Sequence, residues 1–273
     1  MAGYLVTDQK KVTTTRFLEM KQKGEKISML TAYDYTTASI IDMAGVDSIL
    51  IGDSASNIVV GNATTLPMTV DQMIYHARCV SNGAKRALIV CDMPFGSYQV
   101  SREEGIRNAC RMMKEGGMDA LKIEGGVEIL DTIKGILDAG IPVCAHLGLT
   151  PQSVHKFGGY GLRAKDEAEA EKLMNDAIAL DKAGCFAITL EKVPAKLATE
   201  VTKQVKAATI GIGAGNGCDG QVLVYADALG MNQGFKPKFL RHFANVAQVM
   251  IDGVGDYVRA VKDGSFPTEA ESY

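Results

Sequence analysis

Eight short, nearly unbroken apolar runs, helix-forming stretches in the gaps between them, and a charged or imidazole side chain at the end of most runs predict an α/β fold. The architecture they favour is a (β/α)8 TIM barrel, a single domain over residues 1–273. Most runs are continuously apolar rather than alternating, as strands buried on both faces of a parallel sheet must be. The main rival is a doubly wound open sheet. Such a sheet gathers function in one crevice, whereas the terminal charges here come from at least five different runs, and only a closed ring brings most of them together.

In chain order, an N-terminal segment of about residues 1–26 reads as helical and precedes the first run, ISMLTAYD (27–34). TTASIIDMA then reads as helix, followed by SILIGD (48–53), the helix VDQMIYHARCVSN, and ALIVCD (87–92). The pattern continues through REEGIRNACRMMKEG, ALKIE (120–124), VEILDTIKGILDA and PVCAH (142–146). A long acidic-basic helical stretch from Asp166 to Ala183 leads to FAITLE (186–191), and PAKLATEVTKQVKA leads to ATIGIG (208–213) and QVLVYAD (221–227). Gly45, Gly117, Gly140 and Gly184 fall where a left-handed residue would close a helix just before the next strand.

With 32 acidic and 29 basic residues, a net charge of −3 and 47% hydrophobic residues, the chain has globular composition. The basic surplus of a nucleic-acid binder is missing, so no nucleic-acid partner is expected. No run of about 18 apolar residues predicts a membrane span. The opening residues resemble neither a secretory signal nor a transit peptide, which points to the cytoplasm. Six cysteines without a C-x-x-C pair read as reduced core thiols rather than zinc ligands or a disulfide framework.

Asp53, Asp92 and Glu124 end three different runs. Three carboxylates at one barrel mouth repel each other unless a cation or a shared proton holds them, and an all-oxygen set favours a hard ion such as Mg²⁺. The plainer alternative is that such acids cap the following helices or are solvated. In GDS (52–54), Gly52 permits a sharp turn and Ser54 sets a hydroxyl beside Asp53. Lys122 and Glu124 stand two apart in one strand and so share a face. A lysine directed into a barrel needs an anion, either a substrate or a neighbouring carboxylate in a purely structural pair. Glu191 is a candidate general base, a fourth metal ligand or an ion-pair partner of Lys192. His146 closes PVCAH and is open to a catalytic or a structural role. GIGAGN (211–216) sits where barrels often bind phosphate, or is a tight loop at the mouth.

Ten ordered blocks add a resemblance: TAYDYTTA (31–38), GDS, TLPMT (65–69), DMPFGSY (92–98), KIEGG (122–126), HLGLTPQS (146–153), FGGY (157–160), LEKVP (190–194), GIGAGN and DGQVLV. Together they resemble the ketopantoate hydroxymethyltransferases, from about residue 13 to the C-terminus. The resemblance implies a (β/α)8 barrel, Mg²⁺, and small-molecule substrates: transfer of a hydroxymethyl group from 5,10-methylenetetrahydrofolate to 3-methyl-2-oxobutanoate, forming 2-dehydropantoate in pantothenate synthesis. By position it implies that Asp53, Asp92 and Glu124 hold the metal and that Asp53, Ser54, Asp92 and Lys122 bind the oxoacid. It further implies that Glu191 is the proton acceptor and that His146 belongs to the active site. A homo-oligomer is implied as well, the family form being a decamer.

Two segments depart from the family pattern. ASNIVVGNATTLP follows GDS, with Asn62 and Ala63 where histidine and aspartate are expected, and GLRAK (161–165) follows FGGY. Both are expected to lie in loops over the mouth, where they bear on folate binding, closure and substrate choice. A Mg²⁺-dependent lyase or mutase of the phosphoenolpyruvate mutase/isocitrate lyase type would use the same enolate logic, but a K-K-C-G-H motif is missing. A non-catalytic barrel would have lost the charged residues that this chain retains.

Overall fold

The computed structural model describes residues 10–232, 234 and 236–273. The chain packs as two compact units, one running to Val224 and one from Tyr225 to Tyr273. In the first, eight parallel strands close into a barrel: β1 (Ile27–Thr31), β2 (Ser48–Ile51), β3 (Leu88–Asp92), β4 (Ala120–Glu124), β5 (Val143–Gly148), β6 (Ala187–Glu191), β7 (Ala208–Ile212) and β8 (Gly220–Leu223). They pair in chain order, and β8 returns to β1 through the register Ile27↔Gly220. The closed (β/α)8 architecture, not the open sheet, is therefore the fold.

Helices α1 (Thr14–Lys23), α2 (Tyr35–Met43), α3 (Val70–Gly83), α4 (Arg102–Gly116), α5 (Leu130–Asp138), α6 (Val154–Phe157), α7 (Glu167–Ala183) and α8 (Ala195–Gln204) belong to this unit. Thr13, Asp34, Thr69, Ser101 and Asp166 accept hydrogen bonds from the first-turn amides of α1, α2, α3, α4 and α7, which explains why those helices start where they do. The four glycines expected to close helices all have left-handed backbone, with φ between 77° and 105°.

Helix α1 seals the N-terminal end of the barrel. Its Phe17 and Met20, with Val12 before it, join Met29, Leu50, Val90, Ala120, Cys144 and Ile210 in one buried cluster. Phe17 meets Phe186 edge-on, with ring centroids 5.7 Å apart. Lys21 Nζ donates to the Thr202 and Ala207 carbonyls and to Asp219, each at 2.9 Å, and Lys26 Nζ donates to the Cys218 carbonyl. Strand side chains two apart share a face. Asp92 follows Val90, Lys122 follows Ala120 and His146 follows Cys144, so a polar layer lies on the inward face directly above this apolar one.

Four of the expected runs overshoot their strands, SILIGD and ATIGIG by two residues or fewer and the first and last runs by more. β1 stops at Thr31, and Asp34 caps α2 instead, accepting from Thr37 N at 2.9 Å. β8 stops at Leu223, so Asp227 does not end a strand. It lies in α9 (Tyr225–Ala228) of the second unit, where it accepts from Asn232 Nδ2 at 3.0 Å. That unit also contains α10 (Val246–Asp263), a helix absent from the sequence reading although its apolar residues recur every three or four positions. None of its residues is buried. Val249, Ile251, Val254, Tyr257 and Val258 are exposed. Among the described residues no helix is long and apolar enough to cross a membrane.

Candidate active site

The site is the polar layer at the carboxyl ends of β2 to β6. Parallel register sets Asp92 beside Lys122, Glu124 beside His146, and Gly148 beside Glu191. Lys122 Nζ is 2.6 Å from Asp92 Oδ1 and 3.3 Å from His146 Nδ1. His146 lies between two acids, with Nδ1 3.3 Å from Glu124 Oε1 and Nε2 3.3 Å from Glu191 Oε2. Glu191 thus faces His146, while Lys192 Nζ donates to the Tyr160 carbonyl, so the structure does not form the Glu191–Lys192 pair considered from sequence. Lys192 itself has φ 44°, a left-handed conformation uncommon for lysine that turns the chain just past Glu191.

Asp53 lies in the turn after β2. Its N–H donates to Asp92 Oδ2 at 3.0 Å, joining the two loops. A side chain on Gly52 would come within 2.5 Å of Ser54 Oγ, so glycine is what lets that hydroxyl fold back. Ser54 Oγ lies 2.7 Å from Tyr33 OH.

Asp53, Asp92, Lys122, Glu124 and His146 are all buried. Burial first, then the Asp92 and Glu124 charges, raise the Asp53 carboxyl well above its ordinary range against the opposing pull of Lys122 and Gln152. Burial works against the Lys122 charge, but Asp92, Glu124 and Asp53 outweigh it and hold the ammonium protonated. Burial and the Lys122 charge also oppose protonation of His146. Hydrogen bonds to Glu124 and Glu191, with the Glu124 charge, overcome them and push it up to about 9. Protonated, His146 carries a hydrogen on each ring nitrogen, and each nitrogen stands 3.3 Å from a carboxylate oxygen. With these groups ionised, four carboxylates face two cations, leaving a surplus of negative charge suited to a divalent ion. Among the described residues no three His, Cys, Asp or Glu side chains stand in a ready-made ligand shell. Asp92 is turned onto Lys122, and Glu124 onto His146 and the Gln152 amide.

Two residues not singled out from sequence are built into this layer. Gln152 Nε2 donates to Asp53 Oδ2 and to the Met93 carbonyl, both at 2.9 Å. Its backbone N–H donates to Glu124 Oε2 at 2.9 Å. Tyr98 OH donates to Gln152 Oε1 at 2.7 Å and accepts from Glu124 N at 3.2 Å. Both sit inside quoted blocks, DMPFGSY and HLGLTPQS, but as uncharged residues they carried no chemical signal of their own. In the glycine-rich block a side chain at Gly215 would collide with Ala195 on α8, and one at Gly217, just past the block, with Thr199 on the same helix.

The departing segments lie close to the mouth. Ser56–Val60 forms a π-helical turn, braced where Asn62 Nδ2 donates to Ser56 Oγ at 3.1 Å and Ser56 Oγ donates to the Thr64 carbonyl at 2.7 Å. Tyr160 OH reaches the Ala63 carbonyl at 3.5 Å. Arg163 stacks over Phe157 at 4.0 Å, and both line a cavity of about 370 Å³ that Glu124 and Gln152 border.

The family model described as ketopantoate hydroxymethyltransferase matches residues 11–269. A 3-methyl-2-oxobutanoate hydroxymethyltransferase of Bacteroides fragilis is 60% identical over 273 residues, covering 100% of both chains. The enzyme of the same name from Prosthecochloris aestuarii is 59% identical over 266 residues, covering 96% of each. Among solved structures, 2,3-dimethylmalate lyase, a PEP mutase/isocitrate lyase superfamily member, aligns with a TM-score of 0.58 at 15% identity, over 95% of this chain and 91% of that one. Phosphonopyruvate hydrolase in complex with oxalate and Mg²⁺ aligns with a TM-score of 0.60 at 11% identity, over 95% and 93%. At such identities the structural likeness speaks for the barrel alone. Sequence identity across the full length is what decides the family: this chain belongs to the ketopantoate hydroxymethyltransferases.

Proposed function

We propose that this hydroxymethyltransferase moves the hydroxymethyl group of 5,10-methylenetetrahydrofolate onto 3-methyl-2-oxobutanoate through a Mg²⁺-assisted enolate, forming 2-dehydropantoate for pantothenate biosynthesis. One observation carries the reading: the buried carboxylates of Asp53, Asp92 and Glu124 surround Lys122, and Glu191 stands at their rim, held by His146.

The all-oxygen donor set and its surplus negative charge fit a hard divalent cation, which Asp53, Asp92 and Glu124 would hold. When bound, the cation would supply positive charge to offset what grows on the substrate's keto oxygen as the neighbouring carbon loses its proton. Lys122 then offsets the oxoacid carboxylate, and Ser54 offers it a hydroxyl. Glu191 takes the C3 proton, its carboxylate oriented by His146 Nε2. His146 thereby acts as a positioning residue spanning Glu191 and Glu124. The exposed apolar residues of α10 support the homo-oligomeric assembly that the family resemblance implies.

The test is exchange of the C3 proton of 3-methyl-2-oxobutanoate with deuterated solvent, followed by proton NMR with Mg²⁺ and without folate. Glu191→Gln is expected to abolish nearly all exchange while leaving Mg²⁺ affinity largely unchanged. Wild-type exchange in that variant removes Glu191 as the base.

A further inference from the structure

We infer that Gln152 is a positioning residue for the metal-holding carboxylates: its side-chain amide orients Asp53, its backbone N–H orients Glu124, and Tyr98 with Gln99 fixes which way the amide points. The inference rests on the reading that these carboxylates hold a divalent cation.

The geometry forms a continuous chain of donors. Glu124 N–H donates to Tyr98 OH, Tyr98 O–H to Gln152 Oε1, and Gln152 Nε2 to Asp53 Oδ2. The Gln152 backbone N–H then returns to Glu124 Oε2. Tyr98 and Gln152 are 1% and 6% exposed, so water does not offer ready substitutes for these bonds. An amide can be turned end for end, which would aim its acceptor oxygen at a carboxylate. Tyr98 O–H and Gln99 Nε2, at 2.7 and 3.0 Å, both donate to Oε1 and specify the orientation that points N–H at Asp53. The second N–H of the amide reaches the Met93 carbonyl just past Asp92, adding a third loop to the assembly.

Groups that orient ligands from behind are worth roughly 10–100-fold in metal affinity. Gln152→Met keeps the length and the packing while removing both polar ends. It should weaken Mg²⁺ binding, measured by titration calorimetry with the metal alone, by about 10-fold or more. Tyr98→Phe keeps Gln152 but removes one of the two donors to its Oε1, Gln99 Nε2 being the other, and should weaken binding by a smaller factor. In the double variant Gln152→Met, Asp53→Asn the two losses should be less than additive, because Gln152 acts through the carboxylate already removed. Thermal stability in EDTA, recorded alongside, is the readout that a merely structural glutamine would move without changing the Mg²⁺ affinity. Affinity within twofold of the parent in both folded single variants overturns the inference and leaves the metal site standing. Full additivity with Asp53→Asn also overturns it. Should Gln152→Met not fold, an unchanged affinity in the double variant Tyr98→Phe, Gln99→Met, which strips both donors from Oε1, overturns it on its own. Absence of Mg²⁺ binding by the unsubstituted chain overturns both this inference and the functional reading beneath it.

Discussion

Replacing Lys122 by methionine removes one of the two cations that balance the polar layer. The side chain is 5% exposed and lies 2.6 Å from Asp92, with Asp53 and Glu124 contributing further to holding its charge. Methionine fills the stem's volume, so the loss is chiefly electrostatic. Removing one partner of a buried pair typically costs about 3–5 kcal/mol because the other charge is stranded. For a chain of this size, that corresponds to a fall of roughly 6–20 °C in melting temperature. The assay is thermal unfolding of both proteins in EDTA, repeated from neutral to acidic pH. Lysine stays protonated throughout this range, so its contribution to the parent is fully present. In the variant the penalty should shrink as the pH falls and the stranded carboxylates take up protons. A loss below about 1 kcal/mol, or one that does not change with pH, would refute the argument that Lys122 offsets buried negative charge.

Other outcomes follow from the same geometry. His146 is pushed from its ordinary 6.5 to about 9, so the stability it contributes in EDTA should be full below pH 6.5 and decline as the pH rises through about 9. Unfolding midpoints of His146→Gln should lack that decline. Gly148→Ala should be destabilising by at least about 1–3 kcal/mol in urea unfolding, since φ is 89° and a side chain there would meet the Glu191 carbonyl at 2.3 Å. The same displacement should slow C3 proton exchange. Lys192→Gly relieves the left-handed backbone at φ 44° and should leave stability unchanged or slightly raised, while an equally large loss as at Gly148 would show that the lysine's contact with Tyr160 matters more. Val254→Asp with Val258→Asp should reduce the mass measured by light scattering if α10 mediates assembly, and an unaltered mass rejects that helix as the interface.

The barrel could be read from sequence because burial on both faces leaves long apolar runs, and a layer of charges appears only where those runs reach the mouth. Asp53, Asp92, Lys122, Glu124, His146 and Glu191 were all visible as charged or imidazole residues at such endings, and the structure brings them into one layer. Where the reading failed, the failure has a local cause. Tyr33 is buried beyond the end of β1, so apolar character continued past the last paired residue and drew Asp34 into the run. A similar continuation past Leu223 drew in Asp227. Gln152 and Tyr98 were invisible because an amide and a phenol at a site are recognised by what they touch. Helix α10 carries a helical period, but it follows the eighth strand and so links no strand to the next, which leaves it outside the alternation that marks the barrel.

The contacts of α1 tie the order of synthesis to the closing of the ring. Lys21 grips carbonyls and a carboxylate 181, 186 and 198 residues downstream, and Ile27 N–H pairs with the Asp219 carbonyl. Part of the docking surface of α1 therefore emerges from the ribosome only with the last strands of the ring. Until then Phe17 and Met20 lack part of their apolar cover, Phe186 and Ile210 among it, an exposure that favours chaperone capture over unaided folding at high concentration.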